Sequence, residues 1–375
     1  MTPNFDVFSI IMFLGMTQGL FLVFLLLFNK KGTLLTNRLL GLSILPFALH
    51  LFQNGMLHSR LMLLYPHCMQ VAIPLLLCGG PSLYFYTKVM TSREFTFKPI
   101  HWLHLIGPVA MLSYMIPFYF KDAEYKRQYI QNILDGGWSD IYVLMACGIV
   151  YMTGYLVVCA QLMIRHLRRV KHFFSSIEDV QLRWLRNLIL LMLVSIISAV
   201  IYPVFGLHSN SSGVVAAFIA LMVYVIGYMG LNQHPVFERY EAAKTVRRYE
   251  TSDLAPERSI EYKEKLTAFM HDKKPFLESQ LTLSDLADQL AIPVRHLSQV
   301  INEHFHQNFF DFVNAFRVEE AKKRLLDDAY KHFTVLAVGL DVGFNSKSAF
   351  NAAFKKHAGV TPSEVRRTLD YSKSA

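Results

Sequence analysis

Two stretches near the C-terminal end share one pattern: residues 283–301, LSDLADQLAIPVRHLSQVI, and residues 335–354, VLAVGLDVGFNSKSAFNAAF. In each stretch apolar residues recur at helical spacing, a tight turn follows, and a second amphipathic helix begins. A small residue, Ala287 or Gly339, stands where the two helices would approach each other. This pattern predicts a helix-turn-helix unit that occurs twice.

The first unit has a well-marked start. Thr282 and Asp285 are spaced as in a capping box, and Leu281 and Leu286 are spaced as in a hydrophobic staple. Pro293 would open the second helix at a first-turn position, where its missing N–H costs nothing. Local sequence therefore predicts a helix from about residue 283 and a second one from about residue 293.

Two further helices are predicted around these units. An amphipathic stretch from Phe310 to Asp327 lies between the two copies and would act as a strut that fixes the distance between them. Another helix is predicted over Ile260–Lys274, with apolar positions at Ile260, Leu266 and Met270. The C-terminal part is thus expected to be entirely helical.

Three runs of this part resemble the AraC family of transcription activators. They are RVEEAKKRLL at 317–326, VGFNSKSAF at 342–350 and FKKHAGVTPSEVR at 354–366. The resemblance covers roughly the last quarter of the chain. This chain departs from the family at Val365, where an aromatic residue is usual, and at Ala337 and Leu340, which are less polar than usual.

The resemblance implies two recognition helices that enter successive major-groove faces of double-stranded DNA, about 34 Å apart. Arginine can bond guanine through two atoms and glutamine can bond adenine, so the first copy is expected to discriminate more between bases. Carried over by position, the candidates for base contacts are Arg295, His296, Gln299, Lys347, Ser348 and Ala352. The candidates for backbone contacts are Asn302, Asn345, Ser346 and Lys355.

The rest of the chain is much more apolar. Of the 375 residues 53% are hydrophobic and 17% are charged, and the uncharged runs lie within residues 1–231. A helix that crosses hydrocarbon needs about 20 mostly apolar residues. Seven spans are predicted, and none contains Asp, Glu, Lys or Arg. They run approximately over Phe8–Phe28, Leu39–Leu57, Cys68–Tyr86 (or Leu61–Leu77), Trp102–Phe120, Ile141–Ile164, Leu188–Leu207 and Val214–Leu231.

The net charge of +9 belongs to the apolar part. Residues 1–231 hold 16 Lys and Arg against 8 Asp and Glu, whereas residues 232–375 hold 21 against 20. The bulk charge is therefore no argument for DNA binding, which depends on the motifs alone.

Lysine and arginine in the connecting loops predict the orientation. The loops after spans one, three and five hold 12 of these residues, and the N-terminal tail with the loops after spans two, four and six holds 4. The positive-inside rule then places the N-terminus outside and everything from Asn232 onward in the cytoplasm. We expect a multi-pass protein of the inner membrane with its DNA-binding part on the cytoplasmic side.

The predicted spans contain few residues that could bind an ion or a ligand. Ion-coupled carriers usually keep charged groups at mid-membrane depth, so the absence of charge weakens a transporter interpretation. The remaining polar residues either line a ligand pocket or bond helices to one another, and the second is more common. These residues are Gln18, His50, Gln53, Gln70, His104 and Gln161.

Enzymatic chemistry also finds no support. GxSxG, HExxH, P-loop and kinase motifs are absent from the sequence, and no enzyme activity, metal or cofactor is expected. The four cysteines lack CxxC spacing and are interpreted as small apolar residues.

The sequence therefore predicts three regions. Residues 1–231 form a transmembrane and sensing domain, residues 232–258 form a juxtamembrane helix and linker, and residues 259–375 form the DNA-binding domain. The expected function is transcription regulation from the membrane, in response to a small-molecule or envelope signal, with a homodimer possible. In the alternatives, the bundle is a passive anchor or a carrier-like module fused to a regulator. The helix Val236–Tyr249 is expected to transmit the signal.

Overall fold

Helices make up nearly all of the regular structure, as the sequence predicts. The computed structural model describes residues 3–29, 33–92, 95–137, 139–178, 181–204, 218–225 and 254–367. Within these ranges no strand occurs, and the one β-bridge outside a strand joins Phe174 to Thr282. The all-helical fold class is therefore confirmed.

The chain divides into two compact units. The first comprises Met1–Ile164 and Leu182–Pro235, and the second comprises Arg165–Gln181 and Val236–Ala375. The second unit thus includes a short segment from the middle of the chain. The predicted juxtamembrane helix Val236–Tyr249 lies outside the described residues.

The first unit is built from apolar helices that are interrupted by short 3₁₀ turns. The turns lie at Leu61–Leu63, Pro66–Cys68 and Pro99–Leu105. The α-helices are α1 Val7–Phe28, α2 Leu34–His58, α3 Ala72–Leu76, α4 Gly79–Thr91, α5 Ile106–Tyr119, α6 Ala123–Leu134, α7 Ile141–Val170 and α8 Arg183–Val204. Residues 218–225 are also helical.

Five helical stretches in the described part of the chain have the length and composition needed to cross a membrane. They are Val7–Phe28, Leu34–His58, Pro66–Thr91, Pro99–Tyr119 and Ile141–Val170. They correspond to the first five predicted spans. The end of the sixth predicted span and most of the seventh lie outside the described residues.

The third of these stretches is not one regular helix. Gln70 has a φ of +64°, and the chain then forms α3 and restarts as α4 at Gly79. A Cβ on Gly80 would lie 2.8 Å from the ring of Tyr155, so this glycine permits a close approach of α4 to α7. The break explains why two overlapping ranges fit the sequence almost equally well. Helix α6, which the sequence analysis treats as part of a loop, is amphipathic.

Polar side chains inside the first unit bond neighbouring elements together. The Gln53 side chain accepts a hydrogen bond from the backbone N of Ala72 at 3.1 Å, and His104 lies 2.7 Å from the hydroxyl of Tyr155. Gln70 donates to the hydroxyl of Tyr129. These three residues therefore serve packing, which is the commoner of the two predicted roles.

The second unit contains the helices that the two repeated stretches predict. They are α9 Pro256–Asp272, α10 Leu283–Leu290, α11 Val294–Phe305, α12 Phe309–Leu325, α13 Val335–Asp341 and α14 Lys347–Ala358. Residues 362–367 form a last helical turn. Each helix-turn-helix pair closes its own apolar core against α12. The strut and the starts of both predicted pairs therefore lie within two residues of their predicted positions, whereas α11 and α14 each continue four residues beyond the predicted stretches, to Phe305 and Ala358.

Candidate nucleic-acid interface

The first helix-turn-helix unit begins with the capping box that the sequence predicts. The backbone N of Asp285 donates to the Thr282 hydroxyl at 3.2 Å, and the backbone N of Thr282 donates to the Asp285 carboxylate at 2.9 Å. Leu281 and Leu286 are both fully buried in the adjoining core. These contacts fix where α10 starts, because they satisfy donors that the first helical turn leaves open.

The turn between α10 and α11 is tight. Ala291 takes the left-handed conformation with a φ of +50°, and Pro293 occupies the N-cap of α11. Pro293 thus lies one position before the first-turn position that the sequence predicts. The turn leads α11 away from α10 so that one face of α11 is free to meet a partner.

The packing of the second helix-turn-helix unit depends on two glycines. A Cβ on Gly339 would lie 2.5 Å from the ring of Phe350, so this position must be glycine for α13 and α14 to pack this closely. Gly343, in the turn, has a φ of +97°. A Cβ there would lie 2.7 Å from the carbonyl oxygen of Phe276 and 2.9 Å from Arg317 Nε. The sequence predicts a close approach at Gly339, and the Phe350 ring lies there.

Helix α12 joins the two helix-turn-helix units through a buried arginine. The Arg317 side chain is 1% exposed, and it donates to the carbonyl oxygens of Phe276 and Glu278 at 2.7 Å each. It also donates to the carbonyl oxygen and the hydroxyl of Ser175, at 3.1 Å each. Burial lowers the pKa of this guanidinium to about 10, and the nearby Glu178 carboxylate opposes that shift. Arg317 therefore keeps its charge at neutral pH.

Ion pairs tie the same helix to its neighbours. Glu320 accepts from Lys274 and Arg324, each at 3.0 Å, and Lys356 on α14 lies 2.6 Å from Asp311. Burial raises the pKa of Glu320, but the hydrogen bonds from its two cationic partners outweigh burial and hold the pKa below its usual value. These pairs hold α14 and the turn before α10 on the strut.

The exposed face of α11 carries most of the residues predicted for the first copy. Arg295 and Asn302 are exposed, and Gln299 is half-buried and donates to Glu303 at 2.9 Å. Ser298 lies on the same face, where the helical repeat places it between Arg295 and Asn302. Ser298 is not among the residues predicted from the sequence, although this spacing identifies it.

His296 does not lie on the exposed face of α11. Its side chain is 6% exposed, and its ring stacks on Tyr262 of α9 with the centroids 6.2 Å apart. A side chain packed against α9 is not placed to reach a base edge. The structure therefore argues against the predicted base contact of His296, and we do not retain it.

Helix α14 presents its predicted residues on one exposed face. Lys347, Ser348, Ala352 and Lys355 are all exposed. Asn351 is exposed beside them, one helical turn from Ser348 and Lys355. Asparagine can bond adenine through two atoms, so Asn351 extends the predicted set.

Asn345 and Ser346 stand at the N-terminal end of α14, where we predicted backbone contacts. The Ser346 hydroxyl caps the helix by accepting from the backbone N of Ala349 at 3.1 Å. The same hydroxyl donates to the Glu178 carboxylate at 3.2 Å, and the Asn345 amide donates to the Ser176 hydroxyl at 2.6 Å. Both predicted backbone residues therefore already have partners within the second unit.

Local contacts fix the conformation of the residues that follow α14. Gly359 has a φ of +76° and ends the helix. Thr361 and Glu364 form a capping box, since the backbone N of Thr361 donates to the Glu364 carboxylate at 2.6 Å and the Glu364 N donates back at 3.3 Å. Arg366 donates to the carbonyl oxygens of Lys331 and Phe333, each at 3.3 Å.

Comparisons with known proteins agree with this architecture. Residues 286–368 match a family model described as a helix-turn-helix domain. An uncharacterised HTH-type transcriptional regulator of Staphylococcus aureus (strain COL) is 34% identical over 86 residues, 23% of this chain and 11% of that protein. The HTH-type transcriptional activator RhaS of Mannheimia succiniciproducens is 27% identical over 89 residues, 24% of this chain and 32% of that protein. No solved structure matches the chain.

The C-terminal part of the chain is thus a helix-turn-helix domain of the AraC type, and its relatives are helix-turn-helix transcriptional regulators. The predicted resemblance is confirmed for this domain. The chain spans about a tenth of the length of the Staphylococcus relative and about a third of RhaS.

Proposed function

We propose that the protein is a sequence-specific DNA-binding transcription regulator that is held in the membrane by its N-terminal helices and responds to a signal received there. The observation that carries the proposal is the order of parts along one chain. In the part of the chain that the structure describes, five apolar helical stretches precede a helix-turn-helix domain of the AraC type. We place the membrane domain at residues 1–231, the connection at 232–258 and the DNA-binding domain at 259–375.

The surface of the first unit supports a lipid environment. Along α7, four apolar side chains seven residues apart are each at least half exposed: Val143, Val150, Val157 and Ile164. An apolar stripe of this length is unfavourable in water, whereas hydrocarbon covers it at no cost. Helix α1 is more apolar still, with a mean hydropathy of 2.4.

A partly open cavity in the first unit, whose wall residues Val71, Val109 and Leu112 are about half exposed, supports sensing over a passive anchor. Its volume is about 530 Å³, within the range of small-molecule sites. Its walls are mostly apolar, and Lys126, which is 1% exposed, lies at its edge. The Lys126 ammonium donates to the carbonyl oxygen of Tyr119 at 2.9 Å and lies 3.0 Å from the ring of His67. An apolar ligand with an anionic group fits such a cavity.

The orientation is tested by reporter fusions to the full chain. A reporter that is active only in the cytoplasm should be inactive after Gly136 and active after Lys171, because the loops rich in lysine and arginine are expected inside. Matched alkaline phosphatase fusions at the same sites should give the opposite pattern. If the end of α7 that contains Arg168 were external, the DNA-binding domain would be on the wrong side and the proposal would fail.

On this proposal, bases are contacted from α11 by Arg295 and Gln299 and from α14 by Lys347, Ser348 and Ala352. Asn302, Asn345, Ser346 and Lys355 contact the backbone. The exposed positions of Arg295 and Lys355 support these roles. Base contacts specify sequence, whereas phosphate contacts position the domain.

Two substitutions separate the two kinds of contact. Arg295→Ala should weaken binding to the preferred site by about 1 to 3 kcal/mol and relax the preference at one base pair. Lys355→Ala should weaken binding to all sequences and lower the slope of log affinity against log salt by about one. Both are measured by titrating a set of single-base variants of one duplex. Equal, sequence-independent losses from both changes would refute the role of Arg295.

In the second candidate function the bundle is a passive anchor. The apolar helices alone would serve that role, whereas a cavity with a buried lysine is not needed for it. A comparison of DNA binding by the full chain with binding by a fragment from Leu254 onward distinguishes the two candidate functions. Equal affinity under every condition would favour the anchor.

A further inference from the structure

A segment from the middle of the chain packs against the DNA-binding domain within the second unit. We call residues 171–178, which directly follow the end of α7 at Val170, the docked segment. The backbone N of Leu283 donates to the carbonyl oxygen of Phe173 at 2.9 Å, and the N of Ser175 donates to Leu281 O at 3.2 Å. The N of Phe310 donates to Lys171 O at 3.0 Å. The segment thus joins the start of α10 and the start of α12.

Its middle residue completes the surroundings of the buried arginine. Ser175 is 1% exposed, and its hydroxyl and carbonyl oxygen each accept from Arg317 at 3.1 Å. The Ser175 hydroxyl also donates to Leu281 O at 2.6 Å. A serine this buried, with all its polar atoms bonded, marks a specific contact rather than a loose surface one.

The end of the segment covers the N-terminal end of the second recognition helix. Glu178 accepts from the Ser346 hydroxyl, and Ser176 accepts from the Asn345 amide and donates to Glu178. The carboxylate thus stands beside Ser346 at the positive dipole end of α14, where an anion is favoured. A DNA phosphate would bind the same donors, since Asn345 and Ser346 are our proposed backbone contacts.

We infer that the docked segment competes with DNA for this surface, with the Glu178 carboxylate in the place of a DNA phosphate. The inference rests on the proposed function, because it presupposes that the domain binds DNA. While the segment is docked, the second helix-turn-helix unit lacks the phosphate contacts of Asn345 and Ser346. Helix α7 runs unbroken from Ile141 to Val170 and leads directly into the segment, so a shift of α7 is passed to the segment.

The contact therefore offers a route for regulation that differs from the predicted helix Val236–Tyr249. A signal that moves α7 withdraws the segment and frees Asn345 and Ser346. Because the docked fraction of molecules cannot bind productively, it reduces the apparent affinity for DNA in proportion. Loss of the docked state raises the affinity about tenfold if nine molecules in ten are docked.

The experiment uses the full chain in lipid nanodiscs and a duplex selected by that chain from a random-sequence library. Glu178→Gln keeps the shape of the side chain and removes its charge, and we expect it to bind this duplex about tenfold more tightly. Glu264→Gln is the matched control, because Glu264 is exposed on α9 and its substitution changes the net charge equally. A Glu178→Gln affinity equal to or below that of Glu264→Gln would overturn the inference.

Hydrogen exchange on the unmodified chain tests the same point without a variant. The amides of Ser175 and Leu283, which bond the segment to the domain, should exchange faster when the selected duplex is bound. If they stay protected in the DNA complex, the segment and DNA bind together and competition is excluded. A chain that selects no duplex at all would instead count against the proposed function.

Discussion

Replacing Arg317 with methionine should destabilise the second unit by several kcal/mol, because each buried acceptor that is left without its donor costs about 1 to 3 kcal/mol. Methionine fills much of the space but donates no hydrogen bonds. The carbonyl oxygens of Phe276, Glu278 and Ser175 would then be left without this donor in a buried site. Hydrogen exchange of the α12 and α14 amides in the full chain reports the loss as a lower free energy of local opening.

Lys322→Met on the same helix is the control. Lys322 pairs with Glu319 at 2.7 Å on the exposed side of α12, and such surface pairs contribute about 0 to 1 kcal/mol. Arg317→Lys should lie between the two, because it keeps the charge but reaches fewer of the carbonyl oxygens. Equal protection in Arg317→Met and Lys322→Met would show that the buried network does not support the domain.

The features that sequence predicted well are those set by neighbouring residues. The capping box at Thr282 and Asp285 needs only a spacing of three, and it forms as predicted. The close approach at Gly339 follows from a small residue at a fixed place in a helical repeat, and Phe350 packs there. Apolar periodicity likewise located α12, because the two cores on either side of it leave a regular pattern of buried residues.

Features that depend on distant parts of the chain were missed. His296 and Arg295 are adjacent, and only the packing of Tyr262 on α11 shows that one is buried and the other is not. The docked segment is bound through backbone atoms and through the polar side chains of Ser175, Ser176 and Glu178, and such contacts give no periodic apolar pattern. Its contacts with Arg317 and Asn345 join residues more than a hundred positions apart. Helical periodicity carries no information on such pairs.

The break in the third apolar stretch is an intermediate case. Pro74 and the pair Gly79 and Gly80 indicate an interruption in the sequence, but composition alone still fits one continuous span. The left-handed conformation of Gln70 and the new start of α4 at Gly79 divide it. Membrane helices tolerate such breaks where neighbouring groups bond the freed backbone.

Gly343→Ala should be the most damaging single-methyl change in the second helix-turn-helix unit, at about 2 to 5 kcal/mol. A side chain at a left-handed position costs about 1 to 2 kcal/mol. Overpacking adds about 1 to 3 kcal/mol, because the new Cβ would meet the carbonyl oxygens of Phe276 and Leu277 at 2.7 and 2.9 Å. The Phe276 oxygen cannot move freely, since it also accepts from Arg317.

Gly359→Ala distinguishes the cost of the left-handed backbone from the cost of overpacking. Gly359 has a φ of +76°, close to that of Gly343, but a Cβ there meets nothing within 4 Å. Its substitution should therefore cost only the backbone part, about 1 to 2 kcal/mol. Opening free energies of the α14 amides, measured by hydrogen exchange in both variants of the full chain, give the comparison. A Gly343→Ala loss no larger than that of Gly359→Ala would mean that the turn relaxes away from Phe276. The turn would then not hold α14 against the strut, and the exposed face of α14 would lack the fixed position that contact with successive phosphates and bases requires.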